Sequence, residues 1–391
     1  MISTEKAAEI VSSIDRIMSW EELSFTDCEG RVLFTDVRSD INMPPFNRAA
    51  VDGYACHRSD LDSPMEIVET IRAGMEPAVI PGKDQCSRIM TGAIVPDGCD
   101  FVFMVEDSKM LASGKVIYTG KSLKPNLSPA GEDVKTGDIV LRKGKLIRPQ
   151  DVAVLAAVGC INVKVSRRPL VGIISTGDEL VEPWQKPGRP EIRNSNAYQL
   201  AAQAKRSGAA TKYYGIAPDD EAKTLKMVDE AINDCDVVLL TGGVSMGDFD
   251  FVPDVLRKAG AEILFDHVNV QPGKPTTLAL HPGAVIFGLP GNPVSAFVQF
   301  EVLVRPLIYK MMGCTWKPVE MHVKMAENFE RRQSARAAWI PVTINEKHEA
   351  VPVDYHGSAH IAAFPYADGI IRMSPGINLI TKGEVVVVRQ I

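Results

Sequence analysis

Leu170-Val171-Gly172-Ile173-Ile174-Ser175-Thr176-Gly177-Asp178-Glu179 is an apolar run that closes on a sharp, acidic turn. Outward from it, strand and helix signals alternate. A helix is predicted over 196–207, with Gly208 placed to end it. The next helix starts at Asp219-Asp220 and turns Ala222, Leu225, Val228 and Ile232 inward, before a strand over 237–240. A short helix over 252–259 is stopped by Gly260 and leads to a strand over 262–265. A further strand over 284–289 is followed by a long helix from about 294 to 312, stopped by Gly313. Alternation of this kind makes 168–314 a parallel α/β unit.

The flanks read differently. At 4–18, Ala7, Ile10, Val11, Ile14 and Met18 recur at helical spacing, which predicts an amphipathic opening helix. From about 48 to 165 short apolar runs alternate with Pro81-Gly82, Asp97-Gly98, Ser113-Gly114 and Lys143-Gly144, a mostly β pattern. After Pro318, short strands over 338–344 and 385–388 predict a small all-β C-terminal domain. A chain of 391 residues, 45% apolar and 24% charged, buries sizeable cores and belongs to none of the disordered or fibrous classes. Forty-three basic against 49 acidic side chains give a net charge of −6, which argues against a nucleic-acid partner. Seven scattered cysteines without a Cys-x-x-Cys pair leave no zinc or thioredoxin motif and fit a reducing compartment. No run approaches the ~18 apolar residues of a membrane span, so a cytoplasmic protein is expected.

Three turns of the α/β unit fall at strand ends, where doubly wound sheets place ligands. The first is Ser175-Thr176-Gly177-Asp178-Glu179. The second runs from Thr241 through Gly242, Gly243, Ser245, Gly247 and Asp248 to Asp250, with small residues exposing N–H groups as an anion nest. The third, Gly288-Leu289-Pro290-Gly291-Asn292-Pro293, opens the long helix with a positive dipole end suited to phosphate. Tight connections with no ligand are the plain alternative for any one of them. Neither GxGxxG nor GxxxxGK[ST] occurs. Asp178, Glu179, Asp219, Asp248 and Asp250, with Asp52 and Asp133 earlier, suggest Mg2+ bridged to phosphate oxygens. Asp219 read alone is equally an N-cap and Asp52-Gly53 a turn. His356 and His360 lack the context of a metal pair, and Arg331, Arg332 and Arg336 read as a solvated face.

The ordered motifs resemble the molybdopterin molybdenumtransferases, the bacterial MoeA proteins and the E domain of gephyrin. The resemblance rests on Glu29 to Leu33, Pro44-Pro45-Phe46, Val51 to Ala55, Arg88 to Ala93, Gly131-Glu132-Asp133, Ser175 to Leu180, Thr241 to Asp250, Pro272 to Pro275 and Gly288 to Pro293. It implies a three-layer α/β/α, MogA-like molybdopterin-binding domain with β-rich N-terminal domains and a small C-terminal β-barrel. The implied division is an N-terminal helix at 1–25, an elongated linker domain from 26–47 and 135–167, an inserted β-rich domain at 48–134, the α/β domain at 168–314 and the barrel at 315–391. It implies insertion of molybdate into adenylylated molybdopterin with release of AMP, dependent on Mg2+, by a homodimer with shared active sites. Molybdopterin adenylyltransferase and recipient molybdoenzymes are its expected protein partners.

Matching positions make Asp52, Thr91, Asp133, Glu179, Asp219, Asp250 and Lys274 the acting residues, with Glu179 and Asp250 on the metal. Thr176, Gly177, Asp178, Gly242, Gly243, Ser245, Gly247, Pro290, Gly291, Asn292 and Pro293 would hold the pterin nucleotide. The chain departs from the family pattern at Ala49, Ser128 and Gln271, where a hydroxyl and two basic side chains are usual. Those departures keep a non-catalytic molybdopterin-binding scaffold or carrier open as a second reading, and a generic Mg2+-dependent nucleotide hydrolase as a third.

Overall fold

The computed structural model describes residues 1–243 and 252–391. Its centre is a six-stranded sheet in the order Ala210–Ala217, Leu170–Thr176, Val237–Thr241, Val285–Leu289, Thr277–Leu280, Glu262–Phe265. The first four strands are mutually parallel. Thr277–Leu280 runs against both its neighbours, which corrects the all-parallel expectation. This four-residue strand follows directly on the Pro272-Gly273-Lys274-Pro275 turn, too short for a periodic signal of its own.

Alternation along the strands builds two cores. Val171, Ile173, Leu239, Val285 and Phe287 face one layer, packed on Ala197, Leu200 and Ala204 of the helix Asn196–Arg206 and on the long C-terminal helix. Ile174, Val238, Leu240 and Ile286 face the other, packed on Val228, Ala231 and Ile232 of the helix Glu221–Asp234 and on Val255 and Leu256 of the helix Val252–Lys258. Both faces of the central strands are covered, the usual condition of parallel sheet. Each fully buried aliphatic or aromatic side chain contributes roughly 1.5–3 kcal/mol. The result is the expected three-layer α/β/α arrangement.

The opening helix spans Thr4–Ser13 rather than 4–18. Ser3 caps it by accepting from the Lys6 N–H, and the Ser12 and Ser13 hydroxyls bond back to the Glu9 and Ile10 carbonyls at its end. Side chains that compete for helical carbonyls in this way favour termination. Ala7, Val11 and Ile14 join the core of the α/β sheet. The chain then forms the strand Trp20–Ser24, antiparallel to Asn162–Ser166. Within the region read as mostly β lies an unforeseen helix, Pro149–Ala157. Its signal is Pro149 in the first turn with Asp151 accepting from the Arg148 N–H. A four-stranded sheet in the order Glu66–Ile71, Gln85–Ile89, Gly53–Cys56, Phe101–Met104 forms the β-rich part that presents Asp52 and Thr91.

The last region closes a five-stranded barrel: Ala337–Ile344, Glu349–Pro352, Glu320–Met325, Val385–Gln390 and Gly369–Met373, which returns to Ala337–Ile344. Ala338, Ile340 and Val342 point into it, while Trp339 points to the α/β core. Among the described residues no helix is long and apolar enough to cross a membrane.

The predicted long helix is continuous but not uniform. Pro293–Gln299 passes through a π-turn at Phe300–Val304 into Arg305–Met311. The π-turn lies just ahead of Pro306, whose ring cannot be accommodated by a regular α ladder. It carries Glu301, 1% exposed, which accepts from Gln203 Nε2 at 2.7 Å, from Arg305 at 2.8 Å and from Arg206. This buried carboxylate locks the helix Asn196–Arg206 to the long helix, and the first turns of both frame the cleft described below. Glu301→Leu should therefore cost on the order of 3 kcal/mol, because it strands the half-buried Arg305 guanidinium. A urea-unfolding titration measures this, and an unchanged midpoint would show that the lock is not formed.

Candidate active site

The carboxyl ends of Leu170–Thr176, Val237–Thr241 and Val285–Leu289 open into a cleft of ≈690 Å3. After Leu170–Thr176 the chain adds Ala210–Ala217 on one side of that strand, then crosses to add Val237–Thr241 on the other. The cleft thus lies at the topological switch point, where open α/β sheets bind ligands.

Its floor is set by a close approach. Gly242 has φ +98°, and a Cβ there would fall 2.5 Å from the Thr176 carbonyl oxygen and 2.7 Å from Thr176 Oγ1. Only glycine fits. Gly291 abuts from the third turn, where a Cβ would lie 3.6 Å from the Gly242 Cα. Asn196 ties the second and third turns together: its Nδ2 donates to Thr241 Oγ1 at 2.6 Å and to the Gly291 carbonyl at 2.8 Å. Behind it, Ser175 Oγ donates to Asn194 Oδ1, and Asn194 Nδ2 donates to the Tyr213 hydroxyl. The Tyr213 and Tyr198 hydroxyls both donate to Glu182 at 2.8 Å. Burial first, then the Glu182 carboxylate, pushes both phenols above their ordinary value, so both remain neutral donors.

Thr176, Gly177, Glu179, Asp219, Gly242, Gly243 and the turn Pro290 to Pro293 all line this cleft. Asp178 stands beside them and accepts from the Asp219 N–H at 3.1 Å. Asp219 does not cap the following helix; Asp220 does, accepting from the Lys223 N–H at 2.9 Å. That frees the Asp219 side chain for the cleft. Glu179 folds back over Gly177, where a Cβ would lie 2.4 Å from its Oε2.

Two of the expected anion donors are already committed. The Gly242 N–H goes to the Leu289 carbonyl at 3.2 Å, and the Val294 N–H at the start of the long helix goes to the Ser358 carbonyl at 3.1 Å. Ser358 comes from the C-terminal domain and its Oγ also accepts from Asn292 Nδ2; Ala359 and Ile361 of the same loop complete the cleft wall. The helix start is thus roofed by the C-terminal domain, a long-range contact with no local signal. Ser245, Gly247, Asp248 and Asp250 lie outside the described residues.

Asp52, Thr91, Asp133 and Lys274 do not line the cleft. Lys274 is half-buried next to Pro275, which does. Asp52 and Thr91 are brought together: the Thr91 N–H and hydroxyl both donate to Asp52 Oδ1, each at 2.7 Å. The backbone donor and then the hydroxyl hold the Asp52 carboxyl below the ordinary carboxylate range. Asp133 lines a separate groove of ≈770 Å3 with Arg38, Met43 and Arg142. Sequence reasoning passed over Arg193, Asn194 and Asn196, all of which line the main cleft. Their signal was the polar run Arg193-Asn194-Ser195-Asn196 just ahead of a helix.

As to a metal, Glu179 and Asp219 offer exposed hard oxygen donors in one cleft, which suits Mg2+, an ion that takes one or two carboxylates and keeps waters and phosphates for the rest. Among the described residues no group of three or more His, Cys, Asp or Glu is arranged as a complete metal cage.

A three-layer α/β domain with a switch-point cleft, roofed by a β-barrel and preceded by β-rich segments, defines a multidomain α/β protein with a candidate ligand cleft. Residues 2–159 match the family described as MoeA N-terminal region (domain I and II), and residues 172–310 match the probable molybdopterin binding domain. A molybdopterin molybdenumtransferase of Staphylococcus epidermidis is 33% identical, the alignment covering 98% of this chain and 96% of that one. One of Staphylococcus aureus is also 33% identical, over 91% and 87% of the two chains. A molybdopterin biosynthesis moeA protein structure from Pyrococcus horikoshii OT3 superposes with a TM-score of 0.86 at 28% identity, covering 100% of both chains. A second such structure, from Pyrococcus horikosii, gives 0.84 at 32% identity, covering 100% of this chain and 99% of that one. The chain belongs to the molybdopterin molybdenumtransferase family, transferases of molybdenum cofactor biosynthesis.

The floor of the cleft can be tested directly. Gly242→Ala should cost about 1–3 kcal/mol of stability through its left-handed backbone. By pushing the Thr176 and Gly242 turns apart it should also lower turnover roughly 100-fold, the effect of a misplacement near 1 Å. Thermal melting and steady-state kinetics measure the two effects, and wild-type turnover would show that the close approach has no bearing on the site.

Proposed function

We propose that the cleft takes adenylylated molybdopterin, inserts molybdenum from molybdate at its dithiolene and releases AMP. The observation that carries this reading is the meeting of three strand-end turns with Glu179 and Asp219 in one switch-point cleft of a family member. The turns at Thr176 to Asp178, Gly242 and Gly243, and Pro290 to Pro293, with Ser245 and Gly247, cradle the pterin nucleotide. Packed against one another by glycine, they leave room for a ligand backbone to approach closely. Lys274, on the turn whose Pro275 lines the cleft, supports an anionic group. Glu179, with Asp250 and Asp219, would hold Mg2+. When bound, it supplies charge neutralisation at the phosphoanhydride oxygens as AMP leaves.

Asp52, Thr91 and Asp133 belong, on this reading, to the partner's half of each site. Two observations support it: they do not line the cleft of their own chain, and Thr91 holds Asp52 as an oriented, ionised carboxylate on the surface. The acting protein would then be a homodimer with shared sites.

Purified protein incubated with adenylylated molybdopterin, molybdate and Mg2+ is expected to release AMP in a molybdate-dependent manner. Tight pterin binding without AMP release would instead favour the carrier reading raised by Ala49, Ser128 and Gln271. Equal hydrolysis of ordinary nucleotides would favour the hydrolase reading. For the shared site, Asp52→Ala and Glu179→Ala proteins, each inactive alone, should regain activity when their subunits exchange, because each heterodimer then holds one intact pairing. Heterodimers confirmed by native mass spectrometry but still inactive would place both halves of the site in one chain.

A further inference from the structure

The described lining of the cleft carries two carboxylates, Glu179 and Asp219, and one cationic side chain, Arg193. Arg193 ends a short parallel ribbon in which Leu180–Val181 pairs with Ile192–Arg193. The ribbon is tied at both ends: the Ile192 N–H donates to the Glu179 carbonyl and the Asn194 N–H to the Val181 carbonyl, each at 2.8 Å. Arg193 Nε donates to the Gln185 carbonyl at 3.0 Å, which fixes the plane of the guanidinium. Its Nη1 and Nη2 groups make no hydrogen bond or ion pair among the described residues.

Three residues further along the same wall, Asn196 is 8% exposed and its Oδ1 has no donor among the described residues. The amide cannot be flipped to cure this, because Nδ2 faces the Gly291 carbonyl, which only accepts. A buried acceptor left without a partner costs about 1–3 kcal/mol, so Asn196 is kept here for its two donated bonds to Thr241 and Gly291 and not for its own stability. A guanidinium edge with no protein partner among the described residues, on the wall of this cleft, matches a ligand that carries an oxyanion.

We propose that Arg193 is the anion anchor of the cleft, its Nη1 and Nη2 edge taking two oxygens of a phosphoryl or phosphoanhydride group. The inference rests on the reading of this cleft as the site of a phosphate-bearing pterin nucleotide, and names the residue that holds the phosphate. A guanidinium whose plane is preset by Nε loses less freedom on binding than a lysine, and its fork matches an oxyanion bidentately. Without it the described walls would offer an anion two carboxylates and no cation. Arg193 is exposed and its one side-chain hydrogen bond among the described residues goes to the Gln185 carbonyl of the neighbouring loop, so Arg193→Gln is expected to fold.

The test is calorimetric titration of the full-length protein with pyrophosphate, AMP and adenosine at fixed ionic strength. Arg193→Gln should weaken AMP and pyrophosphate at least tenfold, about 1.4 kcal/mol, with adenosine unchanged. Arg193→Lys should retain part of the affinity, and Arg189→Gln, on the same loop but outside the cleft, all of it. Equal affinities for wild type and Arg193→Gln overturn the anchor, as does wild-type protein that binds neither anion, or an equal loss in Arg189→Gln. The functional reading fails separately. Arg193-dependent anion binding without molybdate-dependent AMP release removes the insertion reading and leaves the anchor. AMP release at unaltered KM in Arg193→Gln does the reverse.

Discussion

The contact on which the cleft depends is the one between Gly242 and Thr176. Two parallel strands, hydrogen-bonded along Val171 to Ser175 and Val237 to Thr241, must end side by side, and the chain leaving the second must turn within 2.5 Å of a carbonyl on the first. No side chain fits there, and the φ of +98° suits glycine alone. Because these two turns meet, the third, Pro290 to Pro293, can close over them through Gly291, and Asn196 can bridge the second and third with one amide group. The cleft is a consequence of that crowding at the backbone level, with side chains added around it.

Charge is distributed unevenly around this frame. Glu179 and Asp219 bring negative charge into a cleft that, on the reading advanced above, receives phosphate and molybdate. Such an arrangement works if a divalent cation and a fixed guanidinium offset the acids, and it gives the site a reason to hold Arg193 rigidly. The Ser175, Asn194, Tyr213 and Glu182 chain serves the same end from behind: every member is a neutral donor or a satisfied acceptor, so the wall carrying Arg193 and Asn196 is set by hydrogen bonds and not by packing alone. The barrel domain adds the roof, with Ser358 accepting the Val294 N–H that a lone helix would leave to an anion.

Much of this was legible in the residues. The strands at 170, 237 and 285 are visible because a strand buried on both faces must be apolar throughout, and the turns after them because Gly, Pro, Asp, Asn and Ser favour such geometry. The motif order carried the family. The opening helix is shorter than its apolar period: Ile14 and Met18 keep the spacing, whereas Ser12 and Ser13 draw their hydroxyls back onto the helix and end it. The helix Pro149–Ala157 was lost among turn signals, although Pro149 and Asp151 mark its start.

The sequence by itself determined what local chemistry decides: which segments are apolar enough to be covered twice, where glycine permits a left-handed turn, and which acids follow strand ends. Only the tertiary structure decided which polar groups remain available, since a hydrogen bond between distant residues leaves no trace in either. The Gly242 N–H, read as a nest donor, belongs to Leu289; Asp219, read equally as a cap, is released to the cleft because Asp220 caps instead; the Val294 N–H is taken by a residue of the last domain. Arg193, unremarkable in the chain, stands in the wall because the 180–193 ribbon folds back along the strand-end turns. Burial and partnership are properties of the closed fold, and they alone separate the side chains that hold the site together from those left to meet a ligand.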